Sequence, residues 1–268
     1  MRVTLNGYVV DDTDAVFYRF FGYSCFSPRD IRKAAAENPE GEDLTLEINS
    51  PGGSVFAGSE MYSVLRSAGN MRTRAEIQSL AASAASYLCL GCDEVMISPV
   101  AQMMVHLPAT CTEGNRQDHL ESVQMLDSVR ESILNAYELR ARGKADRAEL
   151  RRLMNASTFL TAQQAVELGL ADGILYQDGE TPLVLPGDIT NAVGGGIRAL
   201  VSSAGGLPSA AALRERYQQL VNEGKAPAIP EDGSGPESTP GAAPVMKDDW
   251  RNMARLSLSR ARFCEEVT

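Results

Sequence analysis

Apolar and polar positions alternate along Leu44-Thr45-Leu46-Glu47-Ile48, the pattern of a strand with one buried face, and the run ends in a turn at Gly52-Gly53. Beyond the glycines, Val55, Ser59, Tyr62 and Leu65 recur at helical spacing. A strand-to-helix junction is therefore predicted at Gly52-Gly53, with unpaired backbone N–H groups in an anion-binding arrangement. Residues 72–77 read as a second strand, and residues 82–90 as a helix of small and apolar residues with Ser83 at its start. Glu94–Ile97 and Gln102–Val105 are short strands divided by Ser98-Pro99, which leaves His106 at a strand end. Over residues 118–142, Leu120, Val123, Leu126, Val129, Ile133 and Tyr137 form one stripe of a long helix. A further helix is predicted over residues 145–154, and Thr161-Ala162-Gln163-Gln164 has the form of a capping box opening a short helix that stops at Gly169. With a first strand at Arg2-Val3-Thr4-Leu5, this alternation implies an α/β domain with helices packed on sheets.

The character of the chain changes after about residue 180. Gly194-Gly195-Gly196, Gly205-Gly206 and a Pro-, Gly- and Ser-rich stretch at about 223–245 are linker-like, because such compositions bury too little apolar surface to order themselves. Residues 210–222 and 247–267 have helical composition. We expect a first domain over residues 1–180 and a C-terminal extension over 181–268 made of helical pieces on flexible joints.

Composition narrows the classes of function. A formal net charge of −10 argues against nucleic acid as a partner, because phosphate binding is driven by Lys and Arg clusters. The basic residues between Arg140 and Arg152 alternate with Glu149 and Asp146 and read as a solvated helical face. Apolar runs are too short to cross a bilayer, and the N-terminus lacks the apolar region of a signal peptide, so no membrane partner is expected and the cytoplasm is the expected compartment. The 5 cysteines have no framework spacing, which fits a reducing compartment. Cys89-Leu90-Gly91-Cys92 has no second pair to complete a metal site, so both thiols read as small buried hydrophobes.

The chemistry concentrates in three places. A serine hydroxyl needs a base to take its proton, and imidazole titrates near neutrality. Of the 2 histidines, His119 lies among Asp118 and Glu121 and reads as an exposed surface residue, whereas His106 follows the buried run Met103-Met104-Val105. Ser83 and Ser86 both lie in the small-residue run Ala81-Ala82-Ser83-Ala84-Ala85-Ser86. Ser83 is the better nucleophile because the helix start adds positive potential beside its hydroxyl. The N–H groups of Gly53 and Ala84 are natural donors to an oxyanion. The set reads as a serine hydrolase that needs no cofactor and no metal.

At this point the sequence resembles the proteolytic subunit of Clp protease (ClpP), and specifically the ClpP-like head maturation proteases of tailed phages and prophages. The resemblance covers about residues 1–176 and is carried by four motifs in order. They are Leu46-Glu47-Ile48-Asn49-Ser50-Pro51-Gly52-Gly53-Ser54, Leu80-Ala81-Ala82-Ser83-Ala84-Ala85-Ser86, Ala101-Gln102-Met103-Met104-Val105-His106 and Leu160-Thr161-Ala162-Gln163-Gln164 continuing to Asp172. It implies a crotonase-like ββα superhelix and a serine peptidase with Ser83 as nucleophile, His106 as base, and Gly53 and Ala84 in the oxyanion hole. It also implies self-assembly into rings, with the long helix over 118–142 as a handle contacting an opposing ring.

The departure from the family lies at the third catalytic member. The segment before Phe159-Leu160-Thr161-Ala162 is Met154-Asn155-Ala156-Ser157-Thr158, so the family's acid is absent; Asn155 is the better substitute chemically and Ser157 by alignment. Asp172 matches a position read as structural. The leading expectation is an endopeptidase that processes capsid or scaffold protein inside an assembling phage prohead. The chain enters its first strand almost at once, which suggests no axial gate for an ATPase. The alternatives are a ClpP-like subunit working with a host ATPase, a catalytically dead ring-forming scaffold, and a crotonase-type acyl-CoA hydratase.

Overall fold

In the computed structural model, which describes residues 1–69, 71–176 and 208–227, the chain begins with β1 (Arg2–Val9), α1 (Asp12–Phe20), β2 (Cys25–Phe26) and α2 (Pro28–Glu37). β3 (Leu44–Gly53) leads into α3 (Val55–Arg66), and β4 (Thr73–Ala82) into α4 (Ala84–Leu88) and a 3-10 turn (Cys89–Gly91). There follow β5 (Glu94–Ile97), β6 (Gln102–Val105), α5 (Arg116–Ala141), α6 (Arg147–Asn155), β7 (Thr158–Thr161), α7 (Ala162–Glu167) and β8 (Gly173–Ile174). In the C-terminal part α8 (Ala210–Asn222) is described. The expected boundary near residue 180, the linker beyond residue 227 and the helix over 247–267 lie outside the described residues.

The mixed α/β architecture predicted by the alternation is present, and its sheet is mainly parallel. Strands run in the order β2-β1-β3-β4-β5-β8, and β6 pairs with both β4 and β7. β4 makes this branch possible because it is long. Its first half, through Ile77, pairs with β5, while Leu80, Ala81 and Ala82 pair with Gln102, Met103 and Met104 of β6. Among the described residues only the β6–β7 pair is antiparallel, with Val105 opposite Thr158.

Both faces of the central strands are largely covered, as parallel sheets require. Leu44, Leu46 and Ile48 of β3 and Ala75 and Ile77 of β4 are fully buried, together with Met61 of α3 and Leu88 of α4. The strands outrun the alternating segments that announce them. β3 continues through Pro51-Gly52-Gly53 and β4 through Ala82, so the helix expected from residue 82 starts only at Ala84. The capping box at Thr161 is formed: its side chain accepts from the Gln164 N–H, and the Gln164 side chain accepts from the Thr161 N–H.

The stripe of α5 divides in two. Ile133, Leu134 and Tyr137 are buried, whereas Leu120 is 38% and Val123 54% exposed. The apolar side chains of Leu120, Val123 and Met125 in the first half of the helix are therefore left exposed by the described residues. The basic segment after it departs from the expected solvated face at Arg140, which is only 5% exposed. Its guanidinium donates to the carbonyls of Cys92 and Asp93 and is paired with Asp172. Cys92 and Asp93 lie below the end of the 3-10 turn, so Arg140 ties α5 to that turn. Arg147 is engaged too, with Glu131 at 2.7 Å and Glu138 at 2.6 Å.

The chain separates into two units, one of residues Met1–Asp11 with Cys25–Gly194 and one of Asp12–Ser24 with Gly195–Thr268. The site described below lies wholly in the first. In the second, α8 packs on α1 through aromatic edges, with Tyr217 against Phe17 and Phe20 at centroid distances of 5.4 and 4.8 Å. Arg214 is ion-paired with Asp14 and stands over the Phe17 ring. No helix among the described residues is long and apolar enough to cross a membrane.

Candidate active site

Three neighbouring parallel strands end together, and each delivers one part of the site. Parallel register sets Ser50 beside Ala81 and Ala82 beside Met104. Gly52-Gly53 at the end of β3, Ser83 just after β4 and His106 just after β6 therefore emerge at one edge of the sheet. In open α/β sheets the carboxyl ends of strands are where ligands bind.

At that edge the Nε2 of His106 lies 2.7 Å from the Oγ of Ser83, within hydrogen-bonding distance. The turn carrying Ser83 is strained: its φ of 54° and ψ of −123° belong to a region that favours glycine. Such a conformation costs on the order of 1–3 kcal/mol and persists only where its surroundings over-determine it. Here they do, because the Ser83 N–H donates to the Met104 carbonyl at 3.0 Å and the Ser83 carbonyl accepts from the Ser86 N–H at 2.9 Å. A serine on a sharp strand-to-helix turn has its hydroxyl raised clear of the backbone, as a nucleophile requires.

Gly52 is needed for this turn. A Cβ built on it would stand 2.6 Å from the Ala82 carbonyl oxygen, 2.7 Å from the Ser83 Cβ and 2.9 Å from the Ala84 nitrogen, and its φ is +94°. Any side chain would collide with backbone. The same closeness brings the Gly52-Gly53 turn against the first residue of α4, so the two expected oxyanion donors, Gly53 and Ala84, belong to segments in contact. Ala84 opens α4, where an N–H has no partner within the helix.

His106 is set for base chemistry. It is partly buried, and loss of solvent holds its pKa below the ordinary 6.5, because burial penalises the imidazolium. The neutral ring, able to accept a proton from Ser83, is thereby favoured at neutral pH. Val55, Tyr87, Pro108, Ile133 and Tyr137 join Ser83 and His106 around a small, mostly apolar cavity. The aromatic lining is what the motifs did not disclose. Ile133 and Tyr137 share the α5 stripe, but the stripe does not say which cavity it faces.

The remaining expectations fall as follows. Asn155 ends α6 and is exposed; Ser157 is half-buried, with a left-handed φ of 53°. Neither is hydrogen-bonded to His106, and among the described residues none bonds to its Nδ1. Ser86 is fully buried and held by Ser83 and Tyr137, so its hydroxyl is not free to act as a nucleophile. His119 is exposed. Asp172 is structural: it accepts from the Val95 N–H at 2.7 Å and pairs with Arg140. Cys89 and Cys92 are buried free thiols, and burial pushes the Cys89 pKa up to about 12 and that of Cys92 higher still.

The model of the Clp protease family matches residues 33–178, more than half of the chain. The chain belongs to the Clp protease family. Membership carries serine peptidase chemistry with it, and the match begins inside α2 rather than at Met1. A relative from Pleurastrum terricola, an ATP-dependent Clp protease proteolytic subunit, is 27% identical over 135 residues, which cover 50% of this chain and 67% of the relative. The mainly parallel sheet is that of the Clp protease fold.

Proposed function

We propose that this chain is a serine endopeptidase in which Ser83 is the nucleophile, His106 the general base, and the Gly53 and Ala84 N–H groups the oxyanion donors. The 2.7 Å contact between His106 Nε2 and Ser83 Oγ carries the reading. His106 takes the hydroxyl proton as Ser83 Oγ bonds to the scissile carbonyl carbon, and the oxygen, now negative, is held by the two N–H groups. The imidazolium then gives its proton to the leaving amine as the C–N bond breaks. Water, deprotonated by the same imidazole, releases the acyl group from Ser83. Of the two residues expected behind His106, strand register favours Ser157 over Asn155.

The finer reading is that copies of the chain assemble into rings, stacked through the exposed half of α5, and cut capsid or scaffold protein during phage head maturation without an ATPase. The four motifs support it through their resemblance to that branch. A neutral residue behind His106 also suits it, since limited processing of an assembled substrate tolerates a slow enzyme better than bulk degradation does. A second reading, a proteolytic subunit working with an ATPase, is favoured by what the Pleurastrum terricola relative is called. The Ser83–His106 contact weighs against both an inert scaffold and an acyl-CoA hydratase.

Fluorophosphonate labelling and cleavage of capsid protein, with and without ATP and an unfolding ATPase, test these readings. Labelling and ATP-free cleavage by the wild type, both lost in Ser83→Ala, are expected. Cleavage undiminished in Ser83→Ala would sink the peptidase assignment, and cleavage only with the ATPase would leave the assignment standing and replace the head-maturation reading.

A further inference from the structure

The Ser83 carbonyl is held twice. Besides the Ser86 N–H it accepts the Ser86 hydroxyl at 2.6 Å, and Ser86 Oγ lies 2.5 Å from the Tyr137 hydroxyl. The directions follow from what each atom can do. A carbonyl only accepts, so the single hydroxyl hydrogen of Ser86 goes to Ser83, and the Tyr137 O–H must donate to Ser86 Oγ. The three groups form a one-way chain from Tyr137 on α5, through Ser86 on α4, to the peptide that follows Ser83. Both side chains are buried, at 0% for Ser86 and 2% for Tyr137, so water does not compete for these bonds.

That peptide is the one that matters for an oxyanion. The Ser83 C=O and the Ala84 N–H belong to one planar amide, and no peptide in the described chain is cis, so the two bonds point in opposite directions. Fixing the carbonyl fixes the direction of the N–H. Hydrogen bonds arriving at the oxygen also polarise the amide and make its N–H a stronger donor, and a donor chain strengthens each link. We infer that Ser86 and Tyr137 are positioning residues that aim and polarise the Ala84 N–H toward the oxyanion by gripping the far end of its peptide. The inference rests on the peptidase reading above and adds to it a role for two residues that touch no reacting atom.

The test uses the full chain, p-nitrophenyl butyrate as substrate and phenylboronic acid as a tetrahedral, transition-state-like inhibitor. Ser86→Ala removes both side-chain hydrogen bonds of the chain, and Tyr137→Phe only the outer one. Deleting a whole oxyanion donor costs about 10²–10³ in kcat, so loosening one is expected to cost about tenfold for Ser86→Ala and less for Tyr137→Phe. KM should stay within about twofold, because the ground-state ester makes little use of the donor. The inhibition constant of phenylboronic acid should rise by the factor by which kcat/KM falls. Tyr137→Phe leaves Ser86 still donating to Ser83, so it keeps the test decisive if Ser86→Ala does not fold. Unchanged kcat in Tyr137→Phe and Ser86→Ala, or a rate loss with unaltered boronate inhibition and a lowered Tm, overturns the inference while the peptidase reading stands. A wild-type chain with no Ser83-dependent turnover overturns the peptidase reading, and this inference with it.

Discussion

His106 and Ser157 are each one residue beyond the last pair of the β6–β7 ladder, Val105 opposite Thr158, so the antiparallel register carries them toward each other. Asn155 lies a turn away, exposed at the end of α6. An acid restored at the register position should stabilise the imidazolium that forms when Ser83 is deprotonated, and the loss of such an acid has cost about 10⁴ in rate in a related triad. Ser157→Asp is therefore expected to raise kcat by at least about tenfold, and Asn155→Asp to leave it within about twofold. Steady-state hydrolysis of one ester by the three proteins decides it. Equal gains in both variants would remove register as the guide to the third position.

The pH profile follows from the burial of His106. Its pKa lies below 6.5 because desolvation disfavours the charged ring, and the base must be neutral to act. On the acid side, the limb of kcat/KM should therefore be centred below pH 6.5. In Ser157→Asp the added carboxylate opposes desolvation, so the acid limb should move to higher pH than in the wild type. A wild-type limb centred above 6.5 would mean that the base is not the buried imidazole.

Much of this was legible because small sites leave short marks. Gly52-Gly53, Ser83 and His106 each end a strand whose pattern was plain, and parallel pairing of adjacent strands then brings the ends together. The parts that were not legible depend on contacts between distant elements. Arg140 reads as one more surface charge in a basic segment until Asp172 and the turn at Cys92 close around it. Ser86 and Tyr137 read as a small residue and a stripe residue, since nothing local couples two side chains separated by 51 positions. The α2 helix, absent from the expectations above, was legible too: it carries a start signal, Ser27-Pro28 with Asp30 accepting from the Ser27 N–H, and its buried residues Pro28, Ile31 and Ala34 lie three apart.

The thiols should sort by burial. Cys89 and Cys92 are enclosed and hold their protons to high pH, whereas Cys111 is exposed. Because the thiolate is the reactive form, an aromatic disulfide reagent at pH 8 should modify Cys111 rapidly in the folded protein and leave Cys89 and Cys92 untouched until it is unfolded. Peptide mapping by mass spectrometry reads the order directly. Modification of Cys89 or Cys92 as fast as Cys111 would contradict the enclosed 3-10 turn.

The Arg140–Asp172 pair should matter for stability and not for chemistry. The Arg140 side chain is 4% exposed and that of Asp172 30%, and among the described residues the guanidinium is ion-paired with no other carboxylate. Asp172→Asn keeps an acceptor for the Val95 N–H and removes only the charge. It leaves a buried guanidinium unneutralised, for which breaking a buried pair typically costs about 3–5 kcal/mol. For a domain of this size each kcal/mol moves Tm by about 2–4 °C, so a fall on the order of 10 °C is expected by calorimetry. Arg140→Met combined with Asp172→Asn should recover part of that loss, because the stranded charge is then gone, and Ser83 labelling at 20 °C should match the wild type in both proteins. A double variant no more stable than Asp172→Asn would show that the charge of Arg140 was not what the single substitution left uncompensated.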